Sequence, residues 1–211
     1  MKIKCNNIVC ITGLDGCGKS TQMDYIVAWL DKIGIAYEHI RLQDVIVPKN
    51  IILKSSMKYI KENHIETNPE IVDSIFLGYR TKYIMENIIA PLLHKKKLLF
   101  VERYIESDLL YLKYQKITNV YYMDILCNYY IPRICIYLSV PAKCCYQRII
   151  NRGNLSDHEN PEYLKLSEEF FLSIIDRFDY VIDGCKDAKD IFCTIQKIIY
   201  QLLNDLEDNN K

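Results

Sequence analysis

The sequence predicts one three-layer α/β domain over residues 1–211, with a central parallel sheet of five strands flanked by helices. Three observations lead to this fold class. Short apolar runs rich in β-branched residues alternate along the chain with longer segments of helical periodicity. The apolar runs are continuous, which is typical of parallel strands buried on both faces. The length of 211 residues fits a single domain, and the sequence contains no linker, repeat or low-complexity segment.

The first half of the chain begins with a strand and a helix. The strand is predicted over residues 7–12, an apolar run that ends at a glycine. The helix is predicted over residues 19–30, where apolar residues recur at helical spacing until Gly34 ends the element. A second strand is predicted over residues 36–42, and a more weakly patterned helix over residues 51–60.

A long helix is predicted in the middle of the chain. Asn68 is its expected N-cap and Pro69 its first helical residue, and the helical pattern continues to about Leu93. Further strands are predicted at the apolar runs over residues 98–101, 134–140 and 180–182. Further helices are predicted over residues 105–115, 119–130, 142–151, 161–176 and 188–206.

The charge balance and residue composition exclude several classes of binding partner and of metal site. Lys and Arg total 27 and Asp and Glu total 27, so we expect no nucleic-acid partner and no membrane surface. No apolar stretch approaches the roughly 18 residues that span a bilayer, and the N-terminus lacks signal-peptide features, which favours a cytoplasmic location. The nine cysteines contain no C-x-x-C pair, and the four histidines show no ligand spacing. We therefore expect buried thiols rather than a disulfide framework or a structural metal.

The strongest chemical signal is GLDGCGKST, which matches G-x-x-x-x-G-K-[ST] between a predicted strand and a predicted helix. Its glycines let successive backbone N–H groups face phosphate oxygens, and the helix that begins here adds its positive dipole end. Lys19 is expected to contact the β- and γ-phosphates of ATP, and the Ser20 hydroxyl to bind Mg²⁺ as the cofactor. The predicted ATP-binding residues of this loop are Gly13, Asp15, Gly16, Cys17, Gly18, Lys19, Ser20 and Thr21.

A second cluster of polar residues follows the predicted strand over residues 98–101. Because ligands bind at the carboxyl ends of parallel strands, an acidic residue there is a candidate for chemistry. Glu102 is a candidate to hold Mg²⁺ through water or to poise an acceptor group, and Arg103 to bind a phosphate with two hydrogen bonds. An ordinary ion pair at a strand end is the alternative interpretation of Glu102.

Together these segments resemble the thymidylate kinase family. GLDGCGKST corresponds to the P-loop of that family, and ERYIESDLLY to its D-R-Y-x-x-S motif, with Glu102 one methylene longer than the usual aspartate. The resemblance extends over nearly the whole chain. It implies a P-loop NTPase fold with a short lid at about residues 148–162. It also implies transfer of the ATP γ-phosphoryl group to a pyrimidine deoxynucleoside monophosphate, dTMP in the first place, with a homodimer as a family expectation.

The resemblance also implies which residues bind the acceptor nucleotide. Phe76 and Arg80 match an F-x-x-x-R segment, in which the ring stacks on thymine and the arginine reaches the base. Asp15 and Arg103 would contact the acceptor's sugar and phosphate. The acceptor-binding residues implied are Asp15, Arg41, Phe76, Arg80, Arg103, Asp108 and Tyr111, the last two under the deoxyribose. Core packing is the alternative for Phe76 and Tyr111, and a solvated helix arginine for Arg80.

The segment from Gln147 to Gly153 resembles the arginine-bearing entry to the family's lid. Arg148 and Arg152 are four residues apart, so they share one helix face, expected to point toward the ATP phosphates. Lys186 would lie near the adenine. The catalytic residues predicted in this way are Lys19, Glu102, Arg103, Arg148 and Arg152, and the predicted metal ligands are Ser20 and Glu102.

The sequence also departs from the family pattern. Of the usual T-R-E-P-G-G after the second strand only Arg41 survives, which puts the acceptor-phosphate geometry and the handling of the metal in question. Gly16 stands where some relatives have a P-loop arginine, and residues 153–160 contain no arginine. Such an arginine is worth about 10³–10⁵ in rate. Unless Arg148 or Arg152 supplies that charge, a slow or specialised enzyme is expected.

Two alternative functions remain open from the sequence. Glu102-Arg103 with Ser107-Asp108 also resembles the deoxynucleoside kinases, in which the acid acts beside the 5′-hydroxyl of a nucleoside. The other alternative is a nucleotide-binding P-loop protein without kinase turnover.

Overall fold

The computed structural model of the protein describes residues 2–95, 97–118, 120–126, 129–153 and 159–208. Its strands are β1 (Lys2–Thr12), β2 (Tyr37–Arg41), β3 (Leu98–Glu102), β4 (Tyr129–Ser139) and β5 (Tyr180–Asp183). They form one all-parallel sheet in the order β2–β3–β1–β4–β5, flanked by helices. Strands β4 and β5 pair in register from Ile136 opposite Tyr180 to Ser139 opposite Asp183. The predicted three-layer α/β class is therefore confirmed.

Nine α-helices occur in the described part of the chain. They are α1 (Lys19–Ile33), α2 (Lys49–Glu62), α3 (Pro69–Ile84), α4 (Ala90–Leu93), α5 (Ile105–Tyr114), α6 (Val120–Ile125), α7 (Ala142–Arg152), α8 (Pro161–Ser173) and α9 (Ala188–Asp208). Helix α3 begins as predicted, because the Asn68 side chain caps it by accepting a hydrogen bond from the Ile71 N–H. None of the described helices is long and apolar enough to cross a membrane.

The chain forms two compact units. The first unit comprises Met1–Ile8 and Glu38–Arg133, and the second comprises Val9–Tyr37 and Ile134–Lys211. In the first unit all five residues of β3 are buried. In the second unit Tyr137 stacks on Phe171 and on Phe178, with ring centroids 5.3 and 5.1 Å apart. A single kinase domain over residues 1–211 stays a prediction.

The long middle helix contains a change of winding that the sequence pattern did not reveal. Between α3 and α4, Met85–Ile89 forms a π-helical turn. Pro91 lies two residues after the end of this turn, and in a regular α-helix its ring would clash with the carbonyl group of Asn87, four residues earlier. The wider π turn relieves this clash while Met85 and Ile89 stay buried.

Three predicted boundaries were wrong. The helix predicted over residues 119–130 is much shorter, since α6 ends at Ile125. Strand β4 begins at Tyr129, five residues before the predicted start at residue 134. Pro132 lies inside β4, although proline is normally evidence against a strand. Similarly, β1 begins at Lys2 rather than at residue 7.

Candidate active site

The P-loop in the second unit needs glycine for both conformation and packing. Gly16 has a φ of 79°, in the left-handed region. A Cβ atom on Gly16 would lie 2.6 Å from the Cys145 carbonyl oxygen of α7 and 2.9 Å from the Ile149 side chain. The packing of α7 therefore leaves no room for a side chain here, and an arginine at this position is excluded sterically.

The Lys19 side chain lies within the loop. It is only 7% exposed. Its Nζ donates to the carbonyl oxygens of Gly13 at 3.0 Å and Leu14 at 2.7 Å. Ser20 and Thr21 are exposed in the first turn of α1. The loop thus holds the ammonium group through neutral carbonyl oxygens. Hydrogen bonds from an ammonium group to anionic phosphate oxygens are stronger than those to neutral carbonyl oxygens.

Arg148 of α7 lies beside the P-loop. Its Nη1 donates to the Cys17 carbonyl oxygen at 3.3 Å, and its Nη2 to the Gly184 carbonyl oxygen at 3.1 Å. Arg152 forms an ion pair with Glu159, which is buried. Within the predicted lid, residues 154–158 lie outside the described residues. Lys186 is exposed after β5.

In the first unit, Glu102 lies at the carboxyl end of β3 and is 1% exposed. Its Oε1 lies 2.9 Å from His39 Nε2, and its Oε2 lies 3.6 Å from Arg41 Nε. Arg41 Nη1 lies 3.4 Å from Asp44 Oδ2. Glu102 is therefore part of an ion-pair cluster at a strand end, the alternative that the sequence left open, and its role as metal ligand stays a prediction.

The sequence reasoning missed His39. A signal was available, because His39 and Arg41 are two residues apart in β2 and so lie on the same face of the strand. The partner was not readable, since Glu102 is 63 residues away along the chain.

A cavity of about 130 Å³ lies next to this cluster in the first unit. The residues that line it are Leu42, Gln43, Arg80, Thr81, Ile84, Arg103, Tyr104, Ser107 and Asp108. Arg80, Arg103 and Asp108 are thus brought together as the resemblance implies, and Arg80 Nη2 also donates to the Leu42 carbonyl oxygen at 3.1 Å. Phe76 and Tyr111 are half-buried and are not among the lining residues. Of the other two predicted acceptor residues, Arg41 pairs with Glu102 and is not a lining residue, and Asp15 belongs to the second unit.

Asp108 is the buried acid of this cavity. Its Oδ2 accepts hydrogen bonds from Thr81 Oγ1 at 2.6 Å and from the Tyr122 hydroxyl at 2.9 Å. Burial raises the pKa of Asp108 above its usual 3.8, although these hydrogen bonds and the Arg80 charge act to lower it. Ser107 Oγ is buried and has no hydrogen-bond partner among the described residues. The cavity therefore offers two cations, one acid and an unused hydroxyl.

The chain is similar to known proteins over most of its length. A family model described as thymidylate kinase matches residues 11–191. The chain belongs to the thymidylate kinase family. The probable thymidylate kinase of Archaeoglobus fulgidus is 27% identical over 206 residues, which cover 96% of this chain and 100% of that protein. The thymidylate kinase of Thermosipho africanus is 26% identical over 199 residues, covering 90% and 96%. That of Pyrococcus abyssi, also a probable thymidylate kinase, is 28% identical over 177 residues, covering 77% and 83%.

Members of this family are ATP-dependent kinases that generally need a divalent metal. The residues present fit such an ion at Ser20, because its exposed hydroxyl supplies a hard oxygen at the start of α1. Mg²⁺ is usually bound through one or two protein oxygens together with substrate phosphates. Glu102 is a less open candidate, since its two carboxylate oxygens already face the His39 imidazole and the Arg41 guanidinium group.

The segment after β3 carries the family's second motif in a strained conformation. Arg103 has a φ of 63°, a left-handed conformation that costs a non-glycine residue about 1–2 kcal/mol. The next residue, Tyr104, is anchored: its hydroxyl donates to the Tyr130 carbonyl oxygen and lies 3.5 Å from Met85 Sδ. The π turn, β4 and the start of α5 together hold Arg103 at the cavity, where strain of this kind is commonly functional.

Proposed function

We propose that this protein transfers the γ-phosphoryl group of ATP to the 5′-phosphate of dTMP, giving dTDP and ADP. The observation that carries the proposal is the thymidylate kinase match over residues 11–191. The cavity with Arg80, Arg103 and Asp108 supports it, because an anionic acceptor with a polar base needs cations and hydrogen-bonding groups together.

The proposed catalysis rests on positioning and charge stabilisation. A phosphate acceptor is already ionised at neutral pH, so no strong general base is required. In the second unit, Lys19 exchanges its carbonyl partners for the β- and γ-phosphate oxygens of ATP. Arg148 exchanges at least one of its two carbonyls in the same way. Both cations then stabilise the charge that develops during in-line transfer.

In the first unit, we assign the acceptor phosphate to Arg103 and the base to Arg80. Glu102, His39 and Arg41 then form a cluster of polar side chains at the end of β3. Arg41 is the first candidate to take over the role of the missing T-R-E-P-G-G loop. Asp108 and Ser107 face the remainder of the nucleotide. Phe76 and Tyr111 enter this site only if their side chains reorient on binding.

Mg²⁺ is the proposed metal, with Ser20 as its protein ligand. When bound, the ion neutralises negative charge on the β- and γ-phosphates. Ser20 contributes an oxygen lone pair and the α1 N-terminus contributes its dipole. A cytoplasmic location and a homodimer are further proposals that rest on the family alone.

The test measures ADP release from ATP and Mg²⁺ with dTMP, dUMP, dCMP and thymidine as separate acceptors. Turnover with dTMP and none with thymidine is the expected result. Turnover with thymidine and none with dTMP would identify a deoxynucleoside kinase instead. Acceptor-independent hydrolysis, or no ADP at all, would identify a nucleotide-binding protein without kinase turnover.

A further inference from the structure

A buried amide group in the second unit is not used by the proposed catalysis. Gln22 is 2% exposed and lies three residues after Lys19, on the same face of α1. Its Nε2 donates at 2.9 Å to the carbonyl oxygen of Ala188, the first residue of α9. Its Oε1 is buried and has no hydrogen-bond partner among the described residues. The side chain therefore connects the helix that carries Lys19 with the start of α9.

Stability alone does not explain an amide at this position. A buried amide oxygen without a partner has lost its hydrogen bonds with water and has gained none in return. A methionine side chain is of similar length and would fill the same space without that cost. Packing alone would therefore favour an apolar residue, such as Met23 and Ile26, which are buried on the same helix.

The hydrogen bond from Gln22 fixes one end of a short exposed segment. Residues 185–187 are exposed and lie between Gly184 and Ala188. At the other end of the segment, the Gly184 N–H donates to the Ser139 carbonyl oxygen at 2.9 Å. Residues 185–187 are thus held at both ends, while their side chains stay accessible from solvent.

The same segment adjoins the P-loop. A Cβ atom on Gly184 would lie 3.5 Å from the Cys17 carbonyl oxygen, and Arg148 donates to the carbonyl oxygens of both residues. Ligands of parallel sheets bind beyond the carboxyl ends of the strands, where β5 leads into this segment. A nucleotide whose phosphates occupy the P-loop has to place its nucleoside part on a neighbouring surface. Residues 185–187 form such a surface.

We propose that Gln22 is a positioning residue for the nucleoside part of ATP, because its amide holds residues 185–187 where adenosine binds. This role rests on the proposed function, in which ATP is the phosphoryl donor. The phosphates bind through the P-loop itself, so Gln22 affects the binding of adenosine and not that of the triphosphate. When Arg148 releases Gly184 to reach a phosphate, the hydrogen bond from Gln22 to Ala188 still holds the other end of the segment.

The experiment compares ATP with inorganic tripolyphosphate, which carries the phosphates without a nucleoside. Calorimetric titration in the presence of Mg²⁺ measures both dissociation constants for the full-length wild type and for Gln22→Met. The dissociation constant of ATP should rise about 3- to 10-fold, as expected for the loss of one neutral hydrogen bond, while that of tripolyphosphate stays unchanged. The urea midpoint of unfolding should stay close to that of the wild type, because methionine fills the space of the amide.

Gln201→Met is the matched control, because Gln201 is an exposed glutamine on α9, and it should change neither dissociation constant. Unchanged binding of ATP to Gln22→Met would overturn the proposal, with or without a lower urea midpoint. Equal weakening of ATP and tripolyphosphate would also overturn it.

A second measurement needs no variant. In the wild type, ATP should slow hydrogen exchange at the backbone amides of residues 185–187 more than tripolyphosphate does, and equal protection by the two ligands would overturn the proposal. If the wild type binds ATP but phosphorylates no acceptor, the proposed function fails, while both comparisons still decide the role of Gln22.

Discussion

The two units of the enzyme hold their polar groups in different ways. In the second unit, the P-loop is one continuous segment whose shape depends on glycine backbone, and Lys19 is held by two carbonyl oxygens of the same segment. In the first unit, the polar groups are side chains from separate elements: Arg41 from β2, Glu102 from β3 and Arg80 from α3. A site formed by the backbone of one segment depends on a fixed local sequence pattern. A site formed by side chains from separate elements can be formed by other residues in other positions.

The two units also differ in which groups surround their buried charged side chains. The ammonium group of Lys19 donates to two backbone carbonyl oxygens of its own loop. The Glu102 carboxylate meets His39 and Arg41 directly. The first unit therefore balances much of its charge internally, and this explains how it can lack the usual T-R-E-P-G-G loop and still keep Arg41 in place.

The largest effect is expected from Lys19→Ala. Loss of this cation removes a group that stabilises transferring phosphate, so kcat should fall about 10²–10³-fold, as for other preorganised donors. Measuring ADP release with dTMP tests this, with the exposed Lys32→Ala on the same helix as the control. Turnover equal to wild type would refute the assigned role of the P-loop.

A stability test separates packing from backbone strain in the second unit. Gly16→Ala combines a left-handed conformation with a close approach to Cys145, and should cost at least about 2 kcal/mol in the free energy of unfolding. Gly34→Ala is the matched control, because Gly34 has a φ of 70° but nothing near its Cβ position, and about 1 kcal/mol is expected. Urea unfolding of both variants measures the difference. Equal losses would mean that the contact with α7 is unimportant.

A smaller and more selective effect is expected in the first unit. Arg80→Met removes a charged donor from the cavity, and hydrogen bonds to charged groups are worth about 1.5–3 kcal/mol. The dissociation constant of dTMP should therefore rise about 10- to 100-fold, while that of ATP stays unchanged. Calorimetric titration with each nucleotide tests this, with Lys82→Met on the same helix as the control. An equal weakening of both nucleotides would contradict the base-binding role.

The smallest expected effect is on the pH dependence of the free energy of unfolding. Because burial raises the pKa of Asp108 above 3.8, the folded state binds its proton more tightly than the unfolded state. The contribution of Asp108 to stability is therefore present below pH 3.8 and is lost as the pH rises through the folded-state pKa. Asp108→Asn should lack this loss. Unfolding free energies of both proteins over an acidic pH series test it, and parallel curves would show that Asp108 is not responsible.

Sequence reasoning recovered the parts of the molecule that depend on local pattern. The P-loop and the capped start of α3 at Asn68 were predicted because a few adjacent residues determine each. Strand β4 begins five residues before the apolar run that predicted it and includes Pro132, because sheet pairing extends a strand beyond its apolar residues. The pairing of strands in a sheet cannot be inferred from the residues next to a given position in the sequence.

The acceptor cavity was recovered only in part. Arg80 on α3, Asp108 on α5 and Arg103 between β3 and α5 line one cavity, and their role in binding an acceptor stays a prediction from the resemblance. The partnership of His39 with Glu102 was invisible because it depends on which strands become neighbours in the sheet. Ser107 and Thr81 likewise enter the cavity only once helices α3 and α5 are packed.

The π turn at Met85–Ile89 has a consequence for how this chain aligns with its relatives. A π turn contains one residue more than an α turn of the same helix. Deleting one residue from it would restore regular winding with little rotation of the residues that follow, but Pro91 would then clash with the carbonyl group four residues before it. The extra residue and the proline are therefore expected to be gained or lost together, and a relative with a regular helix here should align with a gap of one residue.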